Sequence, residues 1–391
     1  MSASPPHIAI ACGGTGGHLF PGLAVAGRLA ARGCSVCLLV SPKDVDQQAV
    51  RDISGMTIAT LPAVGLTRGR RIAFLRGFIR SYRASRRLFR ARRPDAVLAM
   101  GGFTSAPPVL AARRIGVKTF LHESNTIPGR ANRWLARVVD QAFVGFPEAA
   151  GRLRGAPAKV TGTPVRPSFQ RRDPAECRAA LGLDPARPVC AVMGGSQGAT
   201  GINSLVTQTL DLLRTRLPEL QLVHLAGPAD AARVRDACNR SGIRAVVHPF
   251  FSSMDLVLGA ATVAVSRAGA SSLAELAAMR LPSVLIPFPA ATDNHQLHNA
   301  RAFASAGAAR VLEQAGATPE QLVDVLAELC GRDEVRLSMQ SALEKCDAPQ
   351  AADKIAESIL ESAGCRVEAG PLPGRTAVSS PDPGRQLVSV A

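Results

Sequence analysis

Six residues near the amino terminus, Gly13-Gly14-Thr15-Gly16-Gly17-His18, put an imidazole at the end of a glycine-rich turn. The turn follows the apolar run HIAIAC and precedes a helical stretch opened by Pro21 and Gly22. A strand-to-helix turn without Cβ atoms exposes backbone N–H groups, and the helix start beyond it favours negative charge. Binding of a diphosphate or sugar is the chemistry this supports; a tight turn with no ligand is the plain alternative. Two further turns repeat the composition: Gly101-Gly102-Phe103-Thr104-Ser105 after AVLAM, and Gly194-Gly195-Ser196-Gln197-Gly198 after PVCAVM. Ligands of open α/β sheets bind beyond the carboxyl ends of strands, so three such turns predict a shared cleft for phosphate-rich molecules. A dinucleotide dehydrogenase is disfavoured, because Leu19 stands where a G-x-G-x-x-G pattern beginning at Gly14 needs its last glycine. No acid ends the second strand either; Ser41 and Pro42 follow it, with Asp44 and Asp46 beyond.

The elements that must position these turns follow a rhythm of short apolar, β-branched runs and amphipathic stretches of helical length. HIAIAC, VCLLV, AVLAM, KTFLHE, QAFVG and KVTG form one series; PVCAVM, LQLVHLAG, AVVHPF, ATVAVS and PSVLIPF form a second. A chain of 391 residues exceeds the size of a single core. The fold class is therefore read as α/β, with two doubly wound parallel-sheet, Rossmann-like domains facing an interdomain cleft. Residues 162–174, rich in proline and charge, read as the linker. Domains are expected over residues 1–163 and 164–364, with a disordered Gly/Pro/Ser-rich tail over 365–391.

The formal charge of +16 is concentrated: eleven arginines and no acid lie between Arg68 and Arg93, interleaved with Ile72, Phe74, Leu75, Phe78, Ile79, Leu88 and Phe89. Basic amphipathic helices of this kind settle into anionic interfaces; a core helix with a solvated charged face is the alternative. Aromatic residues make up only 4%, too few for a stacking platform, so no nucleic-acid partner is expected. A nonenzymatic polyanion-binding protein would use the same patch but has no need of three glycine turns. Nine cysteines, an odd number scattered through apolar runs, do not make a secreted disulfide framework. Cys34 and Cys37 lie three apart on one strand and point to opposite faces, which argues against a metal or redox pair. The start MSASPPHIAIACGG has no charged region of a signal peptide. No run approaches the ~20 apolar residues of a membrane span, so membrane contact is expected to be peripheral.

GGTGGHLFPGLAVA, GGFTSAP, HESN, GTPVR, GGSQGA and RAGASSLAE occur in this order, across roughly residues 7–360. Together they resemble the MurG family, the N-acetylglucosaminyltransferases of bacterial peptidoglycan synthesis in glycosyltransferase family 28. The resemblance implies a GT-B fold, no metal or other cofactor, and inverting transfer of GlcNAc from UDP-GlcNAc. The acceptor it implies is the 4-hydroxyl of MurNAc in undecaprenyl-pyrophosphoryl-MurNAc-pentapeptide (lipid I), and the product is lipid II. It also implies a peripheral place on the cytoplasmic face of the bacterial inner membrane. The expected partners are UDP-GlcNAc, lipid I and an anionic membrane surface, with cell-wall synthesis or division proteins as further candidates. Another GT-B UDP-sugar transferase with a different acceptor is the alternative.

On this resemblance His18 is the expected base. The positive end of the following helix disfavours its protonation, and a neutral ring can take the proton of the attacking hydroxyl. Orienting the acceptor is the alternative role. Thr15, Gly16 and Gly17 are similar to the family's donor-contacting loop, while Gly13, Gly14, Gly101 and Gly102 are expected to hold the acceptor pyrophosphate. Asn125 of HESN resembles a sugar-contacting asparagine serving donor and acceptor; a turn-former before Pro128 is the plainer reading. Ser196 and Arg166 are expected to neutralise departing UDP without a metal, though Arg166 also reads as a solvated surface charge. Glu275 is expected to accept two ribose hydroxyls, with Ala270, Ser271 and Ser272 at the helix start and Ser272 replacing the more usual Thr. Phe251 offers its backbone to uracil or belongs to the core. Gln296 of DNHQ is expected to reach ribose or the GlcNAc hydroxyls. His295 and His298, beside Asp293, lack a further convergent ligand and read as helix-cap residues and not as a metal site. The chain departs from the family at Thr163, where Asn is usual, and in its tail.

Overall fold

The computed structural model describes residues 4–365, apart from Thr15, Asp52, residues 64–70 and Ser196. Residues 366–391 of the expected tail, together with Arg68 and Arg70, lie outside the described residues. Seven strands, β1 (His7–Ala11), β2 (Ser35–Val40), β3 (Thr57–Thr60), β4 (Ala96–Ala99), β5 (Lys118–Glu123), β6 (Gln141–Val144) and β7 (Ala158–Val160), form the first sheet. Their order is β3-β2-β1-β4-β5-β6-β7, with every pairing parallel. The intervening helices are α1 (Gly16–Ala31), α2 (Asp44–Val50), α3 (Arg71–Ala91), α4 (Ala106–Arg113), α5 (Arg130–Leu135) and α6 (Pro147–Ala150).

The second sheet holds β8 (Val189–Met193), β9 (Gln221–Leu225), β10 (Ala245–His248), β11 (Val263–Ser266), β12 (Ser283–Leu285) and β13 (Arg310–Val311). It is again all parallel, in the order β10-β9-β8-β11-β12-β13. Its helices are α7 (Pro174–Ala180), α8 (Thr200–Arg216), α9 (Ala231–Ser241), α10 (Met254–Ala260), α11 (Ala270–Ala278), α12 (His295–Ser305), α13 (Pro319–Gly331), α14 (Asp333–Cys346) and α15 (Ala351–Ser362).

This is the two-sheet α/β arrangement the alternating runs predict. Its central strands, such as HIAIA and VCAVM, are buried throughout because helices cover both faces, which explains their unbroken apolar character. Strand order reverses between β1 and β4 in the first sheet and between β8 and β11 in the second, so the glycine turns sit at the topological switch points. Cys34 and Cys37 point into separate clusters on opposite faces of the first sheet.

One element leaves the sequence order. Helix α15, which the sequence reading carries with the second half, crosses back and buries Ile355, Ala356 and Ile359 against Ile8, Ile10 and Phe120 of the first. Arg28 of α1 and Arg32, just beyond its end, clasp Asp353 of α15 at 3.3 and 2.8 Å.

Two histidines are fully buried in these cores. His122 donates from Nε2 to the Gly162 carbonyl at 3.1 Å and accepts from Ser124 Oγ at 3.3 Å. His224 donates from Nε2 to Asn203 Oδ1 at 2.8 Å. Burial pushes each ring down to about 4, from the ordinary histidine value of 6.5. The unfolded chain therefore takes up protons first as the pH falls. Stability is complete above 6.5 and drains as the pH drops toward 4, by up to about 3 kcal/mol per ring. Urea midpoints measured from pH 7.5 to 4.5 are expected to fall steadily, and His224→Asn to flatten the trend; an unchanged midpoint contradicts the assignment of both rings as neutral.

Candidate active site

The turn after β1 is held in place by its neighbours. A Cβ on Gly13 would come within 2.3 Å of the Ser41 backbone nitrogen, so only glycine lets the chain pass the end of β2 this closely. Asp46, in the first turn of α2, accepts the Gly14 N–H with Oδ2 at 2.6 Å, while Lys43, just before that helix, donates from Nζ to the Gly14 carbonyl at 2.7 Å. From the β4–α4 connection, Thr104 Oγ1 donates to the Gly13 carbonyl at 2.5 Å.

His18, in the first turn of α1, lies against the second glycine turn. Gly101 and Gly102 have φ of +104° and +76°, and Cβ atoms there would stand 3.0 to 3.3 Å from the His18 ring. These glycines, expected to present N–H groups to a pyrophosphate, thus have a further reason to be glycine: they form the wall against which the imidazole rests. Asn132 reaches the same wall, its Nδ2 3.0 Å from the Gly101 Cβ position.

Burial is the largest cause that pushes His18 down to about 4, with Lys43 and His295 lowering it further and Asp46 opposing. The expectation of a neutral ring agrees with this value, but its main cause is enclosure by protein and not the helix end. Enclosure is not sealing: His18 as a whole residue is half-buried.

Across the cleft, Pro21 has no N–H to give the carbonyl four residues before it, so the Gly17 oxygen is left without its helical donor. Ser271 Oγ, at the start of α11 in the other half, donates to that oxygen at 3.1 Å. Arg166 spans the junction: its guanidinium lies 4.2 Å from the Phe20 ring centroid, 4.9 Å from that of Phe169, and 3.7 Å from Glu275 Oε1. Burial lifts Glu275 to about 7, although Arg166 pulls it the other way.

Asn299 of α12 supplies a second crossing. Its Oδ1 accepts from the Thr126 N–H and Oγ1, both at 2.9 Å, while its Nδ2 donates to Asn125 Oδ1 at 3.0 Å and to the Ala268 carbonyl at 3.1 Å. Asn125 in turn donates from Nδ2 to Glu123 Oε1 at 3.0 Å, which fixes the orientation of its amide. Arg133 of α5 donates to Asp293 at 2.7 Å, gripping a turn in which Asp293 and Asn294 both have left-handed φ near +50°.

The expected site residues therefore fall into four groups. Gly13, Gly14, Gly101, Gly102 and His18 share one wall. Gly16 and Gly17 begin α1, and Gly17 meets Ser271, beside Ala270 and Ser272 at the start of α11. Arg166 meets Glu275, while Asn125 meets Asn299, one helical turn beyond Gln296, whose Oε1 accepts the Phe288 N–H at 2.9 Å. Phe251 is half-buried against the core of the second half, its ring 4.8 Å from that of His248. Thr15 and Ser196 lie outside the described residues. His295 Nδ1 lies 2.8 Å from the Thr292 carbonyl, a helix-start contact. Among the described residues no group of three or more His, Cys, Asp or Glu side chains converges as a metal site.

Residues 8–144 match the glycosyltransferase family 28 N-terminal domain and residues 189–356 the family 28 C-terminal domain. The chain is 39% identical over 367 residues to a protein of Xanthomonas euvesicatoria pv. vesicatoria, covering 93% of this chain and 83% of that one. That protein is named UDP-N-acetylglucosamine--N-acetylmuramyl-(pentapeptide) pyrophosphoryl-undecaprenol N-acetylglucosamine transferase. A protein of the same name from Acidithiobacillus ferrooxidans is 39% identical over 361 residues, covering 91% and 98% of the two chains. Among solved structures, MurG of Acinetobacter baumannii superposes with a TM-score of 0.72 at 27% identity, over 91% of this chain and 100% of that one. With both family 28 domains in order and relatives matched nearly end to end, this chain belongs to glycosyltransferase family 28, in the MurG family.

Proposed function

We propose that this protein transfers GlcNAc from UDP-GlcNAc to the 4-hydroxyl of MurNAc in lipid I, with inversion at the anomeric carbon, giving lipid II. The names of its relatives support the substrates. The observation that carries the chemistry is that His18 rests on its glycine wall, within electrostatic reach of His295 at the start of α12, next to Gly17, whose carbonyl is met by Ser271 at the start of α11. In the reaction the acceptor oxygen forms a bond to the anomeric carbon, and the bond to the diphosphate breaks with its electron pair leaving on UDP. The hydroxyl proton passes to His18, whose ring is neutral above about 4 and so free to accept it. Residues 1–163 are assigned to acceptor and membrane, and residues 164–364 to the donor. Glu275 takes the ribose hydroxyls, Gln296 and Asn125 the sugar, and the turns bearing Gly16, Gly17 and Ser196 the donor diphosphate. Arg166 adds positive charge beside the departing UDP. Phe251 and the segment at Ala270, Ser271 and Ser272 line the nucleotide side, while Gly13, Gly14, Gly101 and Gly102 line the acceptor side.

Purified protein given UDP-GlcNAc and a lipid I analogue in EDTA is expected to release UDP and form a β-linked disaccharide. Release only with another acceptor supports a related transferase, and no release under any acceptor contradicts the enzymatic reading.

The seat proposed is the cytoplasmic face of the inner membrane, and helix α3 supports contact with an anionic membrane surface. One stripe, including Gly77, Ser81, Ser85 and Phe89, is buried, whereas Ile72, Leu75 and Ile79 are 70%, 58% and 40% exposed beside arginines. Among the described residues no helix is long and apolar enough to cross a membrane. Replacing Ile72, Leu75 and Ile79 together by serine is expected to weaken sedimentation with phosphatidylglycerol vesicles by roughly tenfold or more. Turnover on a water-soluble acceptor should be unaffected, and equal sedimentation would remove α3 from the membrane contact.

A further inference from the structure

The carboxylate of Asp46 lies outside every role assigned above, yet it is completely buried. One of its oxygens, Oδ2, accepts three hydrogen bonds: Gly14 N at 2.6 Å, Ser41 Oγ at 2.5 Å and Ser41 N at 3.2 Å. The other, Oδ1, is also buried and accepts no hydrogen bond among the described residues. A buried carboxylate with an open oxygen is an expensive feature for a loop that a neutral amide would hold nearly as well. Its charge therefore calls for a function beyond holding the loop.

We infer that Asp46 is a positioning residue for His18, locking the Gly13–Gly14 turn from which α1 springs and supplying the counter-charge for the imidazolium formed during transfer. Resting on the assignment of His18 as base, the inference explains how a ring so enclosed takes a proton at all. Burial disfavours the charged ring, and of the charged groups facing it among the described residues Lys43 and His295 add to that effect while Asp46 opposes it. His122, buried at β5, also feels the His18 charge. Lys43 and Asp46 grip opposite ends of the Gly14 residue, so the two charges are held at fixed positions relative to the α1 start. Rigid charges of this kind require no rearrangement when the proton arrives.

The test is a titration of the His18 ring by NMR with ¹³C-labelled histidine, assigned by His18→Ala, alongside the pH profile of kcat at saturating substrates. Asp46→Asn and Asp46→Ser remove the charge, and either one that folds is sufficient. Both are expected to move the His18 midpoint and the acid limb of kcat downward, with kcat at neutral pH roughly tenfold lower. The KM for UDP-GlcNAc should stay within about twofold, because the donor contacts are elsewhere. Lys43→Met should move the midpoint upward. A loop-holding role alone would raise KM or lower the melting temperature and leave the midpoint in place, which overturns the inference. A midpoint that moves while turnover is unchanged overturns the base assignment and leaves the Asp46–His18 coupling standing.

Discussion

His18→Ala is expected to lower kcat by roughly 100- to 10,000-fold, the range that general-base catalysis supplies. UDP-GlcNAc binding should change by less than about twofold, because the ring rests on Gly101 and Gly102 of the first half and not on the proposed nucleotide side. His18→Gln should do no better: a glutamine preserves polarity and size but accepts no proton at neutral pH. The combination of a lost kcat with an intact donor affinity identifies an interaction made in the transition state. With saturating donor, the wild-type kcat should hold level through neutral pH and fall only as the pH nears the His18 value of about 4. Single-turnover rates, which exclude product release, are the measurement. A variant that retains kcat within about threefold would reduce His18 to an orienting contact.

UDP-GlcNAc binding should tighten by roughly tenfold between pH 6 and pH 8, with release of a proton. Burial holds the unliganded Glu275 at about 7, so at pH 6 most of the population carries a neutral carboxyl group. Ribose hydroxyls donate to the ionised form, so binding draws the group toward its carboxylate and affinity rises as the pH passes upward through 7. The diphosphate of a UDP-sugar keeps its charge across this window and contributes no slope of its own. Glu275→Gln should flatten the profile and weaken binding at pH 8 by roughly tenfold or more, the value of hydrogen bonds to a charged acceptor. Calorimetry in buffers of different ionisation enthalpy reads both affinity and proton release. A flat wild-type profile would place the ribose elsewhere. Arg166, 3.7 Å from the same carboxylate, limits how far the group can rise.

The parallel sheets and their glycine turns are readable from the chain alone because central strands buried on both faces produce long apolar runs. The exceptions are local. TIAT of β3 is a half-exposed edge strand and β13 has only two residues, so neither shows a buried period. Helix α15 has an ordinary amphipathic pattern, and nothing in such a pattern names which core it will bury against. The site residues carried by motifs were visible, whereas those that act through folding were not. Asp46 lies six residues beyond the end of β2 with no motif around it, and its role depends on the approach of Gly14, 32 positions away. Asn299 stood beside an expected sugar-contacting residue, but its four hydrogen bonds, three to first-half residues and the fourth to the β11–α11 turn, form a set that appears only once the halves meet. Pro21 was the one available signal for the crossing at Gly17, since a proline in the second turn of a helix frees a carbonyl for some other donor.

Everything proposed for the chemistry depends on one cleft in which the two halves address the same sugar. Its most direct test is the structure of the wild-type protein with UDP-GlcNAc and an unreactive 4-deoxy acceptor analogue bound together. The expected complex has ribose hydroxyls on Glu275 and the anomeric carbon of GlcNAc between its diphosphate and the acceptor's fourth carbon, with the His18 ring within one hydrogen-bond length of the missing oxygen. A donor seated away from Glu275, or an acceptor carbon on the far side of the sugar from His18, would contradict it.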